Sequence, residues 1–210
     1  MRVYHFLPAN WALDDVAKGR IRISEIDQLN DPFELWCVDQ RDWQLREVLR
    51  GFKREAGEKW GIVCFTRRWR NPLLWSHYAD KHRGICLGFD VDERGLKPVK
   101  YVTRRPALLI PPTEESINEL LFTKYRDWKY EEEWRNWFQL DTREDGHCFY
   151  YFKTEKFVQL REIIAGPLCQ ITKAEIGNAM HGYADQISIV KARLAFKTFR
   201  VVKNRKGFQR

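Results

Sequence analysis

The segments EEWRNWFQL (Glu132–Leu140), FYYF (Phe149–Phe152) and REIIA (Arg161–Ala165) follow one another with no helical stretch between them. Their aromatic and β-branched side chains suit a pleated, half-buried surface, so all three read as strands. Gly166-Pro167 ends the last of them. Helical patterns lie elsewhere. Arg41–Ala56 puts Leu45, Val48, Leu49, Phe52 and Ala56 on one helical face, with Gly57 behind it. Asn10–Lys18 reads as a helix capped by Asn10 and stopped by Gly19. Asn71-Pro72 opens another that runs through Tyr78. Thr113–Phe122 and Thr172–Gly182 are two more. Further strands are expected at Arg2–Leu7, Ile21–Ser24, Gly61–Thr66, Arg83–Asp90 and Leu96–Val102, with Pro106–Pro112 a loop and one or two strands in the tail. Strands and helices do not alternate strictly. The expectation is therefore an α+β fold, a mixed and mainly antiparallel sheet flanked by helices, in a single domain over residues 1–210. Arg2–Leu7 and Glu132–Leu140 are expected near the centre of the sheet.

Composition excludes several classes. Apolar residues make up 44% and charged residues 31%, which is globular and not disordered. No apolar run reaches the roughly 18 residues of a membrane span, and no basic-then-apolar leader opens the chain. A cytoplasmic location without a membrane partner is expected. Cys37, Cys64, Cys86, Cys148 and Cys169 are odd in number and widely spaced, which points to buried, reduced thiols. No Cys or His spacing suits a metal, so none is expected. The aromatic content of 14% fits either a ring-rich core or a pocket for a flat ligand.

The net charge of +8 is unevenly placed. Residues 191–210 hold Lys191, Arg193, Lys197, Arg200, Lys203, Arg205, Lys206 and Arg210 and no acid, while the other 190 residues balance 29 basic against 29 acidic side chains. Such a segment can contact phosphates of a nucleic acid. Leu194, Phe196, Phe199, Val201 and Val202 interleave with the charges, which equally fits a final strand with a solvated face.

Four stretches hold residues able to do chemistry. In Asn30-Asp31-Pro32-Phe33-Glu34, the Asx residues can close a turn on their own backbone, or Asp31 and Glu34 can face a shared cleft with Asn30. In Trp75-Ser76-His77-Tyr78-Ala79-Asp80, Trp75 and Tyr78 share a helical face while His77 points elsewhere, as a structural side chain or a general acid or base. In Lys124–Arg135, an extended backbone from Glu131 sends Glu131, Glu133 and Arg135 to one side and Tyr130, Glu132 and Trp134 to the other. Trp134 is expected to anchor its side in the core, leaving the acidic side to line a cleft or meet solvent. The fourth stretch, Gln159–Pro167, reads mainly as a strand end. Glycine-rich phosphate loops and hydrolase motifs are absent.

Together these stretches, in order and spacing, resemble the uncharacterised bacterial family catalogued as domain of unknown function 2971. The matching residues are Asn30–Glu34, Trp75–Asp80 with Gly84, Trp128–Arg135 and Ile163–Pro167. That family name carries no activity. More distantly, Tyr4-His5-Phe6, a helix, Gly19 and the strand Ile21–Ser24 resemble the opening of some ADP-ribosyltransferases. The family favours Thr or Ser two residues after the His, where this chain has Leu7. This resemblance implies NAD as a substrate, held by His5 and stacked on Tyr78 with His77 nearby. It also implies Glu133 or Glu131 as the late catalytic carboxylate beside Arg135. Three readings stay open: an NAD-consuming ADP-ribosyltransferase-like enzyme, a nucleic-acid-associated module working through residues 191–210, and a small-molecule-sensing domain without catalysis, with Trp75, Asn30, Asp31 and Glu34 as further cleft candidates.

Overall fold

A computed structural model describes residues 1–108, 111–154, 158–183 and 187–208. In chain order the elements begin with β1 (Arg2–Leu7), α1 (Ala9–Lys18), β2 (Ile21–Glu25), α2 (Trp43–Lys59), β3 (Trp60–Thr66), α3 (Pro72–Tyr78) and β4 (Ile85–Val91). Two short strands, β5 (Lys97–Pro98) and β6 (Lys100–Val102), precede α4 (Glu114–Leu121) and β7 (Thr123–Tyr125). A 3-10 turn over Arg126–Glu131 leads into β8 (Glu133–Gln139), followed by β9 (Arg143–Glu144), β10 (His147–Tyr150) and β11 (Val158–Ala165). The chain ends with α5 (Lys173–Ala179), β12 (Ser188–Leu194) and β13 (Val201–Lys203). The fold is α+β, with helices and a mixed, mainly antiparallel sheet, as the order of patterns predicts. Among the described residues, no helix is long and apolar enough to cross a membrane.

The chain folds into two compact units. The first comprises Met1–Ile21, Phe65–Gly95 and Tyr150–Arg210. Its strand order is β13-β12-β11-β4-β1, and among the described residues only β11 and β12 run parallel there. β4 pairs with β1 from Arg2↔Asp90 to Leu7↔Ile85 and with β11 on its other edge. Buried on both edges, β4 reads ICLGFDV and contributes Ile85, Cys86, Leu87 and Phe89 to the core. α3 packs on β1 through Phe6 and Trp75, whose rings meet edge to face at 5.0 Å.

The second unit comprises Arg22–Cys64 and Leu96–Phe149. β3 pairs there with β2, at Ser24↔Ile62, and with β8, which takes β5 on its far side at Lys97↔Arg135. α2 buries Leu45 and Leu49 against Cys37, Val38 and Leu120, and Ala56 against Ile26 and Leu35. Val48, expected on the same buried face, is exposed.

Local chemistry sets most boundaries. Asn71 caps α3 by accepting from the Leu73 N–H, and Thr172 caps α5 in a reciprocal capping box with Glu175. Gly19, at φ 67°, ends α1 in the left-handed conformation. α1 nevertheless starts at Ala9, with Pro8 rather than Asn10 in the cap position. The expected strand Leu96–Val102 is broken at Val99, whose N–H turns to the Glu133 carbonyl at 2.9 Å. The five cysteines are all free thiols.

Candidate functional site

The acidic stretch closes on itself inside the second unit. The 3-10 turn ends at Glu131, Glu132 takes a left-handed conformation at φ 44°, and β8 begins at Glu133. This brings Glu131 and Glu133 to the ammonium of Lys124 on β7, at 2.7 and 3.2 Å. Arg135, two residues along β8, meets Glu133 at 2.8 Å through Nε and at 3.0 Å through Nη2. The Nε approach lacks hydrogen-bond alignment, so it is a charge contact. The Arg135 Nη1 donates to Glu34 Oε1 at 2.5 Å. All five side chains are at most 5% exposed. Around them, the Tyr101 hydroxyl accepts from the Glu133 N–H, and Lys53 donates to the Glu34 carbonyl at 3.0 Å.

This arrangement reverses one expectation. Alternation does put Glu133 and Arg135 on one side of β8, but that side is buried, and Trp134 is only half-buried. Trp134 does not anchor the core side, and the acidic side neither meets solvent nor lies open. Charges accept burial when each finds a partner, and Lys124 and Glu34 supply those partners from other elements. Asp31, also buried, accepts from the Phe33 N–H at 2.9 Å and so closes the Asx turn that delivers Glu34. Asn30 is exposed before it.

Three carboxylates face two cations, so one negative charge is in excess if all ionise. Burial pushes Glu133 up, but Arg135 and then Lys124 outweigh it and hold its carboxyl at about 2. Burial pushes Glu34 up, and Arg135 does not fully offset it because Glu133 repels from nearby. Of these two carboxyls, Glu34 is the one more readily protonated. The two carboxyls then act on stability with opposite signs. Glu133 contributes stability above its unfolded value near 4.3, lost as pH falls towards about 2; Glu34 contributes stability below that unfolded value, lost as pH rises through its raised folded value. Glu34→Gln needs no ionisation, so its destabilisation relative to wild type should be largest in acid and shrink as pH rises. Urea unfolding from pH 3 to 8 reads this directly, and a gap that is constant or widens with pH contradicts a raised carboxyl at Glu34.

The first unit joins the two other stretches. The Gly166 N–H donates to the Gly84 carbonyl at 2.9 Å, and the Leu168 N–H to the His82 carbonyl at 3.1 Å. Asp80, Lys81 and His82 are left-handed at φ 41°, 50° and 72°, a strained run pinned by the His82 N–H on the Trp75 carbonyl and the Gly84 N–H on the Ala79 carbonyl. Trp75 is fully buried and its indole donates to the Trp69 carbonyl. It is a packing residue, not an open cleft wall. His77 is exposed, Tyr78 is half-buried, and their rings lie 6.0 Å apart. His5 sits half-buried on β1 opposite Leu87, its ring 5.7 Å from Phe65. His5, Tyr78, His77 and Trp75 thus belong to the first unit, and Asn30, Asp31, Glu34, Glu131, Glu133 and Arg135 to the second.

The basic segment forms a hairpin in the first unit. β12 and β13 pair at Arg193↔Val202, and the Ala195 N–H donates to the Arg200 carbonyl at 2.9 Å across the loop. Val201 is buried, but Phe196 and Phe199 on the loop are 91% and 98% exposed. Arg193 lies 4.3 Å over the Phe196 ring. Lys191 is withdrawn from the basic set, since its ammonium donates to the Gly166 and Cys169 carbonyls at 2.8 and 2.5 Å. Lys197, Arg200, Lys203, Arg205 and Lys206 are exposed, and Arg210 lies outside the described residues.

Sequence reasoning gives Lys124 no role of its own. Its signal is weak, because one lysine among several on a polar stretch reveals its burial only when two carboxylates converge on it. Sequence reasoning also passes over Arg104 and Arg105, which stand some sixty residues from the arginines they join around one pocket. Comparison of the chain with family models, curated proteins and solved structures finds no match.

Proposed function

We propose that this protein binds single-stranded nucleic acid through the loop of its C-terminal hairpin. The observation that carries this reading is the pair Phe196 and Phe199, almost wholly exposed on a loop with no acidic residue in the surrounding segment. Large apolar rings held in water on an ordered turn call for a partner. The flanking Lys197 and Arg200, with Lys203, Arg205 and Lys206 beyond, make that partner anionic. Unpaired bases offer flat faces for the two rings while their phosphates meet the cations.

The NAD-consuming reading asks Glu133 to reach a ribose. Its carboxylate is buried against Arg135 and Lys124, so the geometry supports that reading less than the hairpin supports this one. The resemblance to the uncharacterised bacterial family is compatible with either.

Phe199→Ala should weaken binding of a labelled oligo-dT by about 5- to 150-fold, from the roughly 1–3 kcal/mol of one base stack. Lys197→Gln with Arg200→Gln should flatten the plot of log affinity against log salt by about 0.7 for each phosphate no longer neutralised. Fluorescence anisotropy over a salt series measures both. Wild type that ignores oligo-dT but sediments with anionic vesicles would replace the nucleic acid by a membrane surface. Binding that neither substitution alters would remove the hairpin from the function.

A further inference from the structure

A second cationic feature lies in the second unit, on residues the hairpin reading does not use. An open pocket of about 730 Å³ is lined by Asp39, Gln40, Arg41, Arg46, Arg104 and Arg105. Two chain segments build it. The Asp39 N–H donates to the Pro106 carbonyl at 2.8 Å, which ties the segment before α2 to the segment after β6. Arg46, in the first turn of α2, is fixed by donating from Nη1 to the Gln40 and Arg41 carbonyls at 2.7 and 3.1 Å. Arg105 rests over the Phe33 ring at 4.7 Å. Asp39, the one acid in the lining, is already engaged by Arg41 at 2.7 Å. Four guanidinium groups against one carboxylate leave three positive charges around the pocket.

We infer that this pocket binds the phosphate chain of a polyphosphate, either inorganic or carried by a nucleotide. Guanidinium forks match phosphate oxygens in bidentate pairs, which compact ammonium groups do not. A single phosphate would satisfy one or two forks and leave the remaining positive charge uncompensated. A chain of three carries enough charge and length to engage all three surplus arginines. The volume falls within the range of pockets that hold ligands of nucleotide size.

The test uses the full chain and isothermal titration at constant ionic strength. Its probes are inorganic tripolyphosphate, orthophosphate and ATP. Tripolyphosphate should bind saturably and at least tenfold more tightly than orthophosphate. Arg104→Gln with Arg105→Gln should weaken it at least tenfold, and both side chains are exposed, so the fold is expected to persist. Arg104→Glu provides a second, sign-reversed variant. Lys197→Gln with Arg200→Gln on the hairpin should leave the affinity unchanged, which separates this site from nucleic-acid binding. Equal affinities for ATP and tripolyphosphate assign the site to the phosphate chain alone, and tighter binding of ATP identifies a nucleotide as its source. Non-saturating binding, or binding that survives both arginine variants, overturns the inference.

Discussion

Arg135→Met should destabilise the protein by about 3–5 kcal/mol, the cost of leaving a buried charge without its partner. The guanidinium serves two carboxylates at once, Glu133 through Nε and Nη2 and Glu34 through Nη1. Its loss leaves Glu133 with Lys124 and takes from the Glu34 carboxylate its ion-pair partner. Water cannot compensate, because neither side chain is more than 5% exposed. Glu34 can escape by taking up a proton, as its raised pKa already favours. Glu133, whose carboxyl Arg135 and then Lys124 hold down against burial, loses the larger of those two influences and keeps only the Lys124 contact. The triple variant Glu34→Gln, Glu133→Gln, Arg135→Met should therefore recover part of the loss, since it removes the charges together with their partner. Urea denaturation of wild type, single and triple variants measures this. A single variant within about 1 kcal/mol of wild type would mean that the network is solvated or carries little energy.

The same network shows where sequence reading stops. Alternation along Glu131–Arg135 identifies the residues that share a side of the strand, because a period of two is a property of the extended backbone. It cannot say which side faces inward. Trp134 is the more apolar choice, and hydrophobicity alone favours burying it. The decision comes from Lys124 and Glu34, and Glu34 lies 101 residues away from Arg135. Boundaries set by neighbours in sequence are legible: the Asn71 cap and the Thr172 capping box follow from side chains within one turn, and the Gly19 stop from its left-handed backbone. Asn10 does not cap α1 because the helix already begins at Ala9, with Pro8 holding the non-helical cap position at φ -52° and ψ 146°. The hairpin is half legible. Interleaved charges and rings predict one or two final strands, but alternation does not indicate that Phe196 and Phe199 fall on the loop between two strands and not on their buried side.

The two remaining stretches of the sequence also owe their meaning to long-range contact. Trp75–Asp80 with Gly84, and Ile163–Pro167, meet backbone to backbone at Gly84 and Gly166. A Cβ built on Gly84 falls inside van der Waals contact of the Leu7 carbonyl oxygen and 2.9 Å from the Ala79 backbone. A Cβ on Gly166 meets the His82 carbonyl oxygen, lies 2.8 Å from the Gly84 oxygen and 2.9 Å from Trp75. These obstacles are mostly backbone in a hydrogen-bonded knot, and the remaining one is a fully buried indole, so nothing nearby can swing aside. Gly84→Ala should cost about 3 kcal/mol, the upper part of the range for overpacking, and Gly166→Ala a similar amount. Gly51 supplies the opposite case: it lies inside α2, and nothing stands within 4 Å of its added Cβ. Gly51→Ala should stabilise the protein by about 0.5–1 kcal/mol, because alanine loses less backbone freedom in a helix. The midpoints of urea unfolding should therefore move down for Gly84→Ala and Gly166→Ala and up for Gly51→Ala. If Gly84→Ala shifts the midpoint no more than Gly51→Ala does, the close approach of these two stretches does not hold that part of the fold together.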